Sequence, residues 1–217
     1  MNLVRRLRAS RRGVAAMEFA FVLPILLTMF VSGVELMNYI IVRMRVSQLA
    51  LHVADNASRL GEGNVLTERQ LREMDINDVL TGAGAQGDNL DIYRRGRIIL
   101  SSLEASTAFP GRFRIAWQRC RGDRNARRST FGRAGDDDLP GIGPADQQVR
   151  AVAGNPTMFV EIHYEYQPLM LASVVPSVDV VDIASMTVRE RRAPGVFPTP
   201  GVAPSDVDCA PALVPTP

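Results

Sequence analysis

Three sets of residues have types and spacings that would suit chemistry. Glu161, His163 and Glu165 alternate along Met158-Phe-Val-Glu-Ile-His-Tyr-Glu-Tyr166, so one face of a strand would carry two carboxylates and an imidazole, donors that suit a metal. The polar outer face of a half-exposed strand accounts for them equally well, and that is the expectation here. Asp136-Asp137-Asp138 offers oxygen ligands for calcium. Adjacent aspartates lack the alternating ligands and distant Glu of a calcium loop, so a solvated acidic turn is expected. His52, the only other histidine, falls on a separate element and reads as solvated. The third feature is Glu18, an acid just inside an apolar run.

Catalytic signatures are missing from the sequence. There is no Gly-x-Ser-x-Gly, no His-Glu-x-x-His and no dinucleotide fingerprint. The Gly82-Ala-Gly-Ala-Gln-Gly87 cluster lacks the Lys-Ser/Thr of a phosphate loop and reads as a flexible connection. Arg121-Gly122-Asp123 matches a short adhesion tripeptide that arises easily by chance in an Arg-rich loop. The chain therefore reads as a structural assembly component, not an enzyme, with no cofactor, no metal and no small-molecule substrate.

Glu18 is set by its neighbours. Residues 1–12 carry Arg5, Arg6, Arg8, Arg11 and Arg12, and the 29 residues Val14 to Val42 carry only two charges, Glu18 and Glu35. A charge at the head of a membrane span is costly and reads as functional. The uncharged run Phe19 to Val34 is 16 residues, short of the roughly 20 that span a bilayer, and Leu36 to Val42 completes it. A secretory signal would end at a small-residue cleavage site, whereas here the apolar residues continue. Five arginines precede the span and only Arg43 and Arg45 follow closely, so the N-terminus is expected in the cytoplasm and residues beyond about 45 outside. Glu35, 17 residues beyond Glu18, lies roughly 25 Å further along a helix and reads as an interfacial residue needing no partner, with Tyr39 as an aromatic anchor. Pro24 reads as a kink.

Gly13-Val-Ala-Ala-Met-Glu18-Phe-Ala-Phe-Val-Leu-Pro24 resembles the opening of the TadE-like family, pilin-like minor pseudopilins of Tad (Flp) type IV pilus systems. Tyr164-Glu-Tyr-Gln-Pro168-Leu is loosely similar to the later part of such chains. The resemblance implies a short basic leader, residues 1–13, cut by a prepilin peptidase between Gly13 and Val14, with Glu18 as fifth residue of the mature chain and Phe19 beside it in the recognition and assembly segment. It implies other pilins and an inner-membrane pilus assembly platform as partners, and a single-pass protein of the bacterial inner membrane with its C-terminal domain in the periplasm. Two alternatives stay open: a minor pseudopilin of a type II secretion-like system, and an uncleaved single-span envelope protein with a binding domain outside.

Composition bounds the remainder. At 217 residues and 46% apolar content, the chain can hold one membrane helix and one modest domain. All 25 basic residues are arginine, and removing the five of the leader takes the formal charge from +2 to −3. The basic balance is thus a leader effect, and nucleic-acid signatures are absent. Cys120 and Cys209 would lie outside the cytoplasm, where disulfides persist, and a bridge between them is expected over two free thiols because it would tie down the tail.

The expected fold is α+β and pilin-like: a long N-terminal helix packed on an antiparallel sheet, with a second short helix and a disordered tail. Residues 14–42 form the transmembrane part of the helix. Residues 43–60 continue it with an apolar stripe at Val46, Leu49, Ala50, Val53, Ala57 and Leu60, ended by Gly61. Residues 61–192 form the outer domain. Thr67-Glu-Arg-Gln70 reads as a capping box opening a helix over about 67–80. Strands are expected at Arg97–Glu104 and Arg112–Cys120, joined through Phe109-Pro110-Gly111, and at Met158–Tyr166 and Val180–Arg189. Residues 121–148 and the Pro-rich 193–217 are expected to be poorly ordered.

Overall fold

A computed structural model describes residues 11–61, 69–87, 90–124, 127–152, 154–170, 176–189, 192–193, 195–205 and 209. Leader residues 1–10 and the Thr67-Glu68 half of the expected capping box lie outside them. The chain divides into two compact units, one of Met1–Ile41 with Gln167–Pro176 and one of Val42–Tyr166 with Ser177–Pro217. In chain order the elements are helix α1 (Arg11–Arg59), helix α2 (Glu73–Gln86), the short helix α3 (Ile92–Arg95), and strands β1 (Gly96–Ala105), β2 (Phe113–Arg121), β3 (Thr157–Tyr166) and β4 (Val178–Thr187). The fold is the expected α+β arrangement, a long helix packed on a four-stranded antiparallel sheet of order β2-β1-β3-β4.

In the first unit, the N-terminal half of α1 is bare. Gly13 through Phe30 are exposed at every position, and α1 is the one helix among the described residues long and apolar enough to cross a membrane. Pro24 sits inside it without ending it, an adjustment membrane helices tolerate. In the second unit the same helix becomes amphipathic: Val46, Leu49, Ala50, Val53, Ala54 and Ala57 are buried while His52 is exposed. It ends as the sequence implies, with Gly61 at φ +112°. The last carbonyls are met by a residue 132 positions away, since the Arg192 guanidinium donates to the carbonyls of Ala57, Ser58 and Leu60 at 3.3, 3.4 and 2.5 Å.

Register places two sets of side chains on opposite faces of the sheet. Ile98, Leu100 and Ser102 of β1 oppose Ile162, Val160 and Met158 of β3 on the helix side, where Arg119 of β2 pairs with Glu73 of α2. Arg97, Ile99, Ser101 and Leu103 share the other face with Phe159, Glu161 and His163. That second face is covered by the 127–152 segment. Ile142 and Ala151 join Leu103, Ile115 and Phe159 in a core cluster, with Phe131, Leu139 and Val149 packed against it. Phe131 meets Phe159 edge to face, and Phe113 and Leu139 exchange backbone hydrogen bonds at 2.9 Å. The segment is irregular, as expected, but it is folded onto the sheet and not loose.

Two further expectations are corrected. Helix α2 starts at Glu73, not near 67: Asp75 accepts from the Arg72 backbone N–H at 2.9 Å, and Arg69 and Arg72 form isolated parallel bridges with Arg192 and Phe197. Its glycines are interior residues, because the helix runs through Gly82 and Gly84 to Gln86. Gly84 leaves room for the Tyr93 ring, which an added Cβ would meet. The tail is likewise tied down over its described part. Phe197 exchanges backbone hydrogen bonds with Leu71 and Glu73, and Asn77 donates to the Ala203 carbonyl at 2.8 Å.

Candidate assembly site

The residues singled out at the N-terminus are helical and bare. Val14 and Phe19 are 58% and 61% exposed, and Gly13 and Glu18 are also exposed. Among the described residues nothing requires glycine at 13, because an added Cβ would meet no atom of theirs within 4 Å. Glycine inside a helix costs about 1 kcal/mol relative to alanine. Gly33 and Gly82 are helical glycines with the same open space, so this alone assigns Gly13 no role. Glu18 sits among side chains that cannot donate to it. Its helix neighbours three and four residues away are Val14, Ala15, Phe21 and Val22, none with a donor side chain.

Glu35 is different, for its carboxylate accepts from the backbone N–H groups of Leu169 at 3.0 Å and Met170 at 2.9 Å. The expectation of an interfacial acid needing no partner is thereby corrected.

On the far face of the sheet, Glu161 and His163 are buried at 1% and 7% exposure, so the reading of an outer polar face is also corrected. Glu161 accepts from the Thr130 N–H at 2.9 Å and from the Ser129 hydroxyl at 3.0 Å, and it lies 2.8 Å from His163 Nε2. Burial pushes its carboxyl up, but the hydrogen bonds from His163 and Thr130 outweigh this and hold it below the ordinary value. Glu165 is drawn elsewhere, paired with Arg124 and accepting from Ser177. The arrangement is a fastening for the 127–132 segment. Among the described residues no group of three His, Cys, Asp or Glu side chains could hold a metal. Asp136 accepts from the Arg133 N–H and Asp138 pairs with Arg112, so the triple aspartate serves its own turn.

Cys120 and Cys209 form a disulfide with Cα atoms 5.7 Å apart, and both are buried beside Ile99. The Arg97 guanidinium, itself 2% exposed, lies 3.1 Å from the Cys120 sulfur. Sequence reasoning found the bridge from the two cysteines, their expected place outside the cytoplasm and the tail they would tie down. It missed Arg97 and Arg192, whose partners come from distant segments that no local pattern indicates.

No curated protein and no solved structure matches the chain. Residues 13–55, running from the Gly13 junction almost to the end of α1, match the family model described as TadE-like protein, so the family resemblance of this chain is carried by its long helix.

Proposed function

We propose that this chain is a minor pilin or pseudopilin that helps to initiate a Tad/Flp-type pilus. A prepilin peptidase removes residues 1–13, and the mature chain stands in the inner membrane with its N-terminus on the cytoplasmic side and its sheet domain in the periplasm. The observation that carries the reading is the coincidence of the TadE-like match, which begins at Gly13, with a glycine and a glutamate that this fold gives no use. Cleavage exposes an ammonium at Val14. In a bundle of parallel helices, that amine can lie beside Glu18 of the adjacent subunit, each lowering the other's cost of entering a dry core. Removing one partner from such a buried pair costs roughly 3–5 kcal/mol, enough to block assembly.

The test has two stages. N-terminal sequencing of membrane-extracted protein should return Val14, and Gly13→Arg should leave the full-length chain; recovery of Met1 or Asn2 from wild type sinks the leader assignment. Glu18→Ala should be inserted and cleaved, yet fail to co-purify with pilin partners, and Glu18→Asp should be partly defective. Normal pilus numbers with cleaved Glu18→Ala would remove the acid from assembly.

A further inference from the structure

Glu35 fastens a loop to the membrane helix. Its carboxylate holds the backbone N–H groups of Leu169 and Met170, and the residues after β3, Gln167–Pro176, form one compact unit with Met1–Ile41. The loop turns apolar groups outward: Leu169 is 65% and Met170 53% exposed. The sequence then continues Leu171-Ala-Ser-Val-Val-Pro176 without a charge. On the helix the exposed apolar belt does not stop at Glu35 either, since Leu36, Met37, Ile40 and Ile41 all stay exposed.

Depth decides what such a surface meets. The 16 uncharged residues Phe19 to Val34 cover roughly 24 Å at about 1.5 Å per residue, less than the hydrocarbon core of about 30 Å. Apolar residues lie on both sides of that run, and where the exposed Leu36, Met37, Ile40 and Ile41 complete the core this carboxylate lies within the edge of the apolar layer. A bare charge there is costly, and so are bare backbone N–H groups. The two satisfy each other, and what remains facing outward at that depth is Leu169, Met170 and the apolar helix surface.

We propose that the β3–β4 loop at Leu169–Met170 is a second membrane-contacting element, lying among lipid acyl chains at the exit face of the span and held there by Glu35. The proposal rests on reading the apolar half of α1 as a membrane span. It is tested on the full chain reconstituted in phosphatidylcholine/phosphatidylglycerol vesicles, with an apolar carbene-generating photolabel dissolved in the acyl region and its adducts mapped by mass spectrometry. Label is expected on span residues and on Leu169–Met170, with buried Phe159 and Ile162 unlabelled. Glu35→Ala should lower loop labelling several-fold and leave span labelling unchanged. A labelled span with an unlabelled loop overturns the proposal while sparing the span. An unlabelled span overturns the membrane reading itself. Loop labelling that appears only when protein is diluted in lipid means that a second copy covers the loop, and overturns the assignment to acyl chains. Unchanged loop labelling in Glu35→Ala overturns the role of the acid.

Discussion

Glu161→Ala should cost the folded sheet domain about 3–5 kcal/mol, a large part of the roughly 5–15 kcal/mol that holds such a domain together. The side chain is 1% exposed and is the acceptor for the Thr130 N–H and the Ser129 hydroxyl, with His163 Nε2 at 2.8 Å. Truncation leaves the buried His163 nitrogen without its partner, at about 1–3 kcal/mol, removes the bonds to Ser129 and the exposed Thr130 at about 0.5–1.5 kcal/mol each, and leaves a hole that adds to that. Glu161→Gln keeps the shape and one acceptor oxygen, so about half the loss is expected. Urea unfolding of the non-reduced protein in detergent reads this directly, with fluorescence of Trp117 as the probe, the single tryptophan of the chain and 6% exposed. The urea midpoint should fall with an unchanged m value. Acid supplies a second arm. Because hydrogen bonds hold the folded Glu161 carboxyl below its ordinary value, its contribution is complete above the ordinary carboxylate range and is lost as pH falls through the lowered one. The gap between wild type and Glu161→Gln should therefore be widest near neutrality and narrow as pH falls below the ordinary carboxylate range. A Glu161→Ala loss under 0.5 kcal/mol would refute the idea that this carboxylate fastens the 127–132 segment.

Two other perturbations follow from the same geometry. The Cys120–Cys209 bridge spans 89 positions, for which the chain-entropy model gives about 4–5 kcal/mol, so Cys209→Ser should lower the urea midpoint accordingly; two alkylatable thiols in exported, non-reduced protein would contradict the bridge. Gly84→Ala should destabilise by about 1–3 kcal/mol, because its Cβ would strike the Tyr93 ring, whereas Gly82→Ala, with no atom within 4 Å, should stabilise by about 0.5–1 kcal/mol. Equal effects at the two glycines, read by the same unfolding curves, would show that the ring moves aside.

Local pattern revealed the elements, and long-range pairing decided their ends. The four strands are legible because alternation along Met158–Tyr166 and the flanking turn residues report the pleat directly. The start of α2 is not legible. Residues 69–72 are drawn into bridges with Arg192 and Phe197, more than 120 positions away, and the helix begins only where Asp75 can accept from Arg72. Alternation also failed at Glu161 and His163 in one specific way. It placed them correctly on the face opposite Val160 and Ile162, but period two cannot say what covers a face. The cover is 127–152, whose few apolar residues, Phe131, Leu139, Ile142 and Val149, are irregularly spaced and gave no periodic signal.

The same comparison of local rule with fold bears on function. Most departures from local preference in this chain have a structural return within it. Gly84 makes room for Tyr93, Gly61 ends α1, and buried Glu161 gains its donors from Ser129 and Thr130. Even the costly acid Glu35 is matched by two backbone N–H groups. Gly13, Gly33 and Gly82, helical glycines with no described atom within 4 Å of an added Cβ, and Glu18, whose helix neighbours carry no donor side chain, show no such return. Sequences that fold reliably are consistent across levels, and unreturned violations mark sites where selection acts through another molecule. Of these, Gly13 and Glu18 fall together, five residues apart on the exposed apolar part of α1 where the TadE-like match begins, and this is the segment that the proposed function assigns to a peptidase and neighbouring subunits.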